Sequence, residues 1–359
     1  MRANLPPPDI GVPAAGALLF GIGLSALYSI SLASGMPWAE KQLTWAVMAL
    51  VGAGAAAMCP LSALRRAACF LMAAVIVGMC AVFLFDAGHG AHRWVRLGGW
   101  SLQPSEFCKM AALILAADYA SRGYYRRDQK AFVLPVLLWL AAPLALLVFQ
   151  RDIGSLILIS GVVLAILFVA GLDIRRTAPL ALLLVGAAVV LILSEPYRLS
   201  RVTSFVDPFL SDGGYNQKNA IMAFVLGGWS GRGLGRSIES WGYLPEPHND
   251  FIIAIIGEET GLVGFFVVCA LLAFLAGRAI AIGNRAEARN EIFGALYAFG
   301  FAAMWGVQAF INIGGNLSLL PFKGFTLPLV SYGGSSLLAT GLMLGVLMRV
   351  DYENRKAAS

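Results

Sequence analysis

An aspartate, and a set of basic residues around it, stand where a long polar stretch gives way to an apolar run. Asp250 closes an interval of about 55 residues (195–249) and opens an apolar segment. A carboxylate partly withdrawn from water holds its proton more tightly and suits general-base chemistry. Aspartate is also a good helix cap and the site reads as a helix start, so capping stays open beside catalysis. Glu258 follows eight residues later. At about 100° per residue it shares one broad helical face with Asp250, while Glu259 points away. A carboxylate at that depth has to be paired or line a cavity, so Glu258 reads as a structural or tuning partner. Glu106 and Lys109 are three apart and are neighbours on one helical face, as a packing ion pair or as a substrate contact. Asp152 begins an apolar segment just past a tight turn, where a cap and a cavity-facing role both fit. His248, two residues before Asp250, either tunes the site or packs against its neighbours.

The long interval is also basic and aromatic. It carries Arg198, Arg201, Lys218, Arg232 and Arg236 among Phe205, Phe209, Tyr215, Phe224, Trp229, Trp241 and Tyr243. Such a stretch reads as a folded lid over an anionic, lipid-linked ligand, with a purely structural plug as the alternative. Its glycines, Gly227, Gly228, Gly231, Gly233 and Gly235, can present backbone N–H groups to a phosphate. They do not match a nucleotide-binding P-loop. His89 and His92 lack metal-ligand spacing, and no cluster demands a metal.

The elements that must position these groups lie in a membrane. Of 359 residues, 59% are hydrophobic and 13% charged, against roughly a quarter charged in soluble domains. Ten apolar segments fall near 10–33, 42–59, 67–85, 104–120, 132–149, 153–171, 178–194, 250–276, 291–312 and 330–348. The expected fold is an all-α integral membrane protein of about ten transmembrane helices. Residues 1–359 form one polytopic domain, with an extracytoplasmic loop at 195–249 between the seventh and eighth helices. The net charge of +6 is spread over alternate breaks and not gathered on one face, which speaks against nucleic acid. Arg65, Arg66, Arg122, Arg126, Arg127, Lys130, Arg175, Arg176, Arg278, Arg285, Arg289, Arg349, Arg355 and Lys356 fill those breaks. The positive-inside rule places them and both termini in the cytoplasm. The stretch before the first segment is Pro-rich without a basic n-region, so that segment is expected to be retained. The five cysteines lie in or beside apolar segments with no C-x-x-C pair, as small buried hydrophobes.

Four ordered motifs carry a family resemblance. Arg93-Trp94 precedes Gln103-Pro104-Ser105-Glu106 with Lys109, and Asp152-Ile153-Gly154-Ser155 follows. Leu244-Pro245-Glu246-Pro247-His248-Asn249-Asp250-Phe251 comes next, with Gly257-Glu258-Glu259 after it. Asn312-Ile313-Gly314 and Pro328-Leu329-Val330-Ser331-Tyr332-Gly333-Gly334-Ser335-Ser336 complete the set. In order and topology the chain resembles the SEDS family of shape, elongation, division and sporulation proteins, the group containing FtsW and RodA. Arg201-Val202-Thr203-Ser204-Phe205 and Arg349-Val350-Asp351-Tyr352-Glu353 resemble the division member FtsW more than the elongation member RodA. His92, Arg151, Asn249, Asn216 and Asn219-Ala220 depart from the family's usual residues.

The resemblance implies polymerisation of lipid II, a disaccharide-peptide on undecaprenyl pyrophosphate, at the outer face of the bacterial inner membrane. It implies Asp250 as the catalytic base and an inverting transfer. Candidate substrate contacts are Arg93, Trp94, Lys109, Asp152, Arg201, Lys218, Arg236 and His248, with Arg96 as a further cation; Trp94 and Trp100 also fit interfacial anchors. Glu106, Glu258, Ser331, Gly333 and Gly334 are expected to be structural or tuning. No cofactor is required, although Mg or Mn could assist by neutralising charge. The implied partners are a class B penicillin-binding protein and other division or elongation membrane proteins, with no nucleic acid.

Overall fold

The computed structural model describes residues 9–85, 92–97, 100–124, 130–193, 214–321 and 324–356. Each expected apolar segment coincides with a helix. These are α1 (Gly11–Ser34), α2 (Trp38–Met58), α3 (Leu61–Ala81), α4 (Pro104–Gly123), α5 (Lys130–Phe149), α6 (Ile153–Val169), α7 (Ile174–Leu193), α9 (Ile252–Glu287), α10 (Ile292–Asn316) and α11 (Gly334–Lys356). A shorter helix, α8 (Tyr215–Gly227), lies inside the long interval. A two-stranded hairpin, β1 (Val95–Leu97) with β2 (Trp100–Leu102), precedes α4. Among the described residues five helices are long and apolar enough to span a bilayer by length and composition alone: α1, α3, α7, α9 and α10. The chain is a multi-pass membrane protein.

α10 lies at the centre, packed on α9, α4, α6 and α11, while α11 packs along α2. The central helices carry the polar residues and are shielded by the others. α4, for example, buries Glu106, Lys109 and Asp118 together with an unbroken run from Ala111 to Asp118.

The two largest departures from the expected bounds are at C-terminal helix ends. α9 runs to Glu287 instead of ending near residue 276, and α11 runs to Lys356 instead of 348. Ion pairing lengthens both. Arg285 reaches Asp9 at 3.6 Å and Asp351 at 3.0 Å, and Arg278 also pairs with Asp9. Within α11, Arg349 meets Glu353 at 2.7 Å and Asp351 meets Arg355, both at i,i+4 spacing. These contacts tie Asp9, near the N-terminus, and Asp351, near the C-terminus, to one end of the bundle. Burial opposes ionisation of Asp9, but its hydrogen bond and ion pair with Arg278 win and hold its carboxyl below the usual range.

α9 is broken. At 36 residues and about 1.5 Å per residue it is far longer than a bilayer core. Gly261, at φ 70° and ψ −170°, interrupts the helical geometry. The break frees backbone groups that hydrocarbon cannot satisfy, and the glycine-rich stretch after α8 supplies their partners. Arg232 N–H donates to Glu258 O at 3.0 Å and Gly233 N–H to Glu259 O at 2.9 Å. In return, Leu262 N–H donates to Gly228 O at 2.9 Å. A Cβ at Gly261 would lie 2.4 Å from the Trp229 carbonyl oxygen, so the two backbones can approach only with glycine there. These glycines therefore satisfy a broken helix, a role the sequence did not disclose.

Candidate functional site

Asp250 lies in the turn before α9, half-buried. The helix N-cap is Phe251, and it makes no side-chain cap bond, so Asp250 is not the cap. Because Asp250 precedes the helix, the shared-face relation to Glu258 does not apply. Its main chain is held from α10. The Asn312 and Asn316 side-chain amides both donate to the Asp250 carbonyl, at 3.1 and 2.9 Å. Asn312 also donates to Phe325 O, and Asn316 to Asn312 O at 2.9 Å. Each amide NH2 thus has both hydrogens engaged. The Asp250 carboxylate faces the backbone of Gly324, where a Cβ would come 2.7 Å from Oδ2.

Gln308, Asn312 and Asn316 sit at i, i+4 and i+8 on α10 and form one polar stripe. Gln308 donates to Thr326 O at 2.8 Å and accepts from Lys109 Nζ at 3.3 Å. Lys109 is also paired with Glu106 at 2.6 Å, and its side chain is only 3% exposed. Thr326 continues the chain to Ser336 at 3.0 Å. A continuous polar path therefore runs from Asp250 along α10 to the Glu106–Lys109 pair, with residues 324–326 laid beside it.

Asp152 caps α6, accepting from Ser155 N–H at 3.2 Å. It also accepts from Ser155 Oγ at 2.8 Å and from Ser105 Oγ of α4 at 3.1 Å. Arg93 donates to the Gln150 and Arg151 carbonyls at the α5–α6 turn, where Arg151 has φ 59°. Trp94 is 38% exposed, and Arg96, Lys218 and Arg236 are exposed. Among the described residues Lys218 and Arg236 make no side-chain ion pair. Arg201 lies outside the described residues.

His248 is buried and stacked on Trp38, with ring centroids 3.9 Å apart and planes at 16°. Tyr332 packs edge-on to both rings, and its N–H donates to His248 O at 2.8 Å. Burial pushes the imidazole pKa down, against the opposing pull of Glu246, whose Oε2 is 3.4 Å from Nε2. The turn that follows Thr326 is held by Gln42 of α2. Its amide donates to Ser331 O at 3.1 Å and accepts from Gly333 N–H at 3.3 Å. The Ser331 hydroxyl accepts from Leu327 N–H at 2.8 Å. At Gly334 a Cβ would fall 2.0 Å from the Trp45 ring.

Glu258 is fully buried and pins the loop. Its carboxylate accepts from Ser237 Oγ at 2.6 Å, Ile238 N–H at 2.7 Å and Glu239 N–H at 3.3 Å, with Arg232 at 3.9 Å. Glu259 meets the loop as well. It is buried and accepts from Ser29 of α1 and from Gly235 N–H at 3.1 Å, because the break at Gly261 brings the loop against both glutamates. Burial, then the neighbouring Glu258 charge, raises the pKa of Glu239. Among the described residues no three of His, Cys, Asp and Glu come together as a metal cluster.

The residues that reasoning from sequence left out are Gln42, Trp38, Gln308 and Asn316. The signal for two of them was present: three carboxamides at i, i+4 and i+8 in an otherwise apolar helix.

Fold and site together define a multi-pass membrane protein with a buried polar path leading to a carboxylate at one end of the bundle. The chain belongs to the FtsW/RodA/SpoVE family of cell cycle proteins, whose model matches residues 12–356. It is 38% identical to a probable peptidoglycan glycosyltransferase FtsW of Burkholderia thailandensis, over 94% of this chain and 77% of that one. It is 37% identical to the corresponding protein of Nitrosomonas europaea, over 94% and 91%. Among solved structures it matches a chain from a study of how a peptidoglycan synthase complex coordinates polymerization and crosslinking. The TM-score is 0.80 and the identity 26%, covering 97% of this chain and 98% of that one. Thermus thermophilus RodA matches with a TM-score of 0.72 and 26% identity, over 97% of each chain.

Proposed function

We propose that this chain polymerises lipid II into glycan strands at the outer face of the bacterial cytoplasmic membrane, in the service of cell division. The observation that carries this reading is the placement of Asp250. Its carbonyl is held by two amides, its carboxylate is half-buried beside Gly324, and the polar stripe of α10 starts beneath it. The bundle end opposite the Asp9–Arg285–Asp351 cluster is the outer one on this reading, and both termini are cytoplasmic.

In the reaction, Asp250 accepts the proton of the acceptor sugar's hydroxyl as that oxygen attacks the anomeric carbon of the donor. The new C–O bond forms as the bond from that carbon to the pyrophosphate oxygen breaks. The α-linked donor inverts to a β-1,4 bond, and undecaprenyl pyrophosphate leaves with the electron pair. Arg96, Lys218 and Arg236 are exposed cations able to receive the pyrophosphate, and Arg201 joins them by its place in the chain. Lys109 and Asp152 act from within, as Lys109 is already paired and Asp152 already caps a helix. A Mg or Mn ion, if bound, would supply neutralisation of the pyrophosphate charge; among the described residues no three of His, Cys, Asp and Glu come together to hold one. The partner is a class B penicillin-binding protein, supported by the synthase complex among the structural matches.

Purified protein supplied with lipid II, alone and with its cognate transpeptidase, tests the proposal. Glycan ladders formed without nucleotide support it. Their absence with the partner present overturns it in favour of precursor transport or scaffolding.

A further inference from the structure

Far from Asp250 lies a second concavity, lined by Val133, Leu134 and Leu137 of α5 and by Leu172, Pro179 and Leu180 at and beyond the α6–α7 turn. α5 and α7 both pack on α6, and the concavity is the furrow left between them. Its volume of about 510 Å³ is in the range of ligand pockets, roughly 300–1,000 Å³. Proline helps to shape both walls. Pro135 and Pro179 lie inside α5 and α7, where each removes a helical hydrogen bond.

The furrow is apolar except at one end, where Arg175 and Arg176 line it. Among the described residues neither guanidinium has an ion pair or a side-chain hydrogen bond. The adjacent Asp173 uses Oδ1 to accept the Arg175 backbone N–H at 3.1 Å. By contrast, the arginines Arg65, Arg122, Arg278, Arg285, Arg349 and Arg355 are all paired with carboxylates. Lys130 opens α5 at the same end of the bundle.

We infer that this furrow binds an anionic phospholipid of the cytoplasmic leaflet, one acyl chain lying between α5 and α7 and the phosphate held by Arg175 and Arg176. The order of groups matches that ligand: two adjacent planar donors suit a phosphodiester, and a wholly apolar slot leads from them along the helix axes. A zwitterionic lipid offers the same chains without net charge, and the pair of uncompensated arginines disfavours it. The site belongs to the opposite leaflet from the proposed chemistry and serves as a binding site in its own right.

Native mass spectrometry of the purified full chain, mixed with phosphatidylglycerol or with phosphatidylcholine, tests the inference. The wild type is expected to retain phosphatidylglycerol at least about tenfold better. Arg175→Gln with Arg176→Gln should bring retention down to the phosphatidylcholine level, whereas Arg66→Gln, an exposed cation elsewhere, should leave it unchanged. Leu180→Trp fills the furrow and should weaken retention with both arginines in place. Equal retention of the two lipids overturns the inference. So does an unchanged double variant, an equal loss in Arg66→Gln, or full retention in Leu180→Trp. Circular dichroism melts of each variant separate loss of the site from loss of the fold.

Discussion

Replacing Glu258 by alanine should release the loop that follows α8 while leaving the bundle intact. The carboxylate accepts three hydrogen bonds, from Ser237 Oγ, Ile238 N–H and Glu239 N–H, at 2.6, 2.7 and 3.3 Å. The serine hydroxyl can rotate to another acceptor, but the two amides cannot. Each orphaned buried donor costs about 1–3 kcal/mol, and removing a buried charge beside Glu239 returns part of that. A net loss of roughly 2–4 kcal/mol in local opening free energy follows. At about 1.4 kcal/mol per decade, the Ile238 and Glu239 amides should exchange hydrogen roughly 30- to 700-fold faster. Glu258→Gln keeps one acceptor oxygen and should show a smaller effect. The amides of Arg232 and Gly233 bond backbone carbonyls exposed by the Gly261 break, not the carboxylate, and should change less. Hydrogen exchange with mass spectrometry, resolved to peptides covering 232–239, reads both sets. Unchanged exchange at residues 238 and 239 in Glu258→Ala would refute the pinning role.

Three further outcomes are expected. His248 is held neutral by burial, so its folded pKa lies below the ordinary value of about 6.5. Below that value the unfolded chain binds more protons than the folded one, and stability should fall as pH drops from about 6.5 towards the folded pKa. Melting curves between pH 5 and pH 7.5 should show this for wild type and lose it in His248→Gln. Gly334→Ala drives a methyl into the Trp45 ring and should cost about 1–3 kcal/mol, visible as a lower melting temperature. Asn316→Ala removes one of the two donors to the Asp250 carbonyl. It should lower kcat by roughly tenfold with KM little changed, and a fall in binding alone would count against a positioning role.

The helices were legible because lipid imposes a simple rule: each apolar run long enough to span had to be one, and each proved to be. The ends of α9 and α11 were not, because Arg278, Arg285 and Arg349 read as loop charges until Asp9, Asp351 and Glu353 are seen to pair with them. Asp250, Glu106 and Lys109 could be picked out from residue type and spacing. The role of Glu258 could be stated only in outline, since its partners at 237–239 come from a loop whose path follows from a glycine break in the helix. Asp152 left a cap and a cavity-facing role both open, and three hydrogen bonds, from two serine hydroxyls and a backbone amide, now occupy it. Gln42, which holds the Ser331–Gly333 turn from some 290 residues away, had no local signal at all.

On the proposed reading, Asp250 is the base of a polymerase. Lipid II polymerisation by wild type and Asp250→Asn, each with the cognate transpeptidase and each shown by melting curve to be folded, tests it most directly. Asparagine can keep the main-chain bonds to Asn312 and Asn316 but cannot take a proton, so glycan synthesis should fall by roughly 10²- to 10⁴-fold in folded protein. Glycan strands made by Asp250→Asn at the wild-type rate would rule Asp250 out as the base.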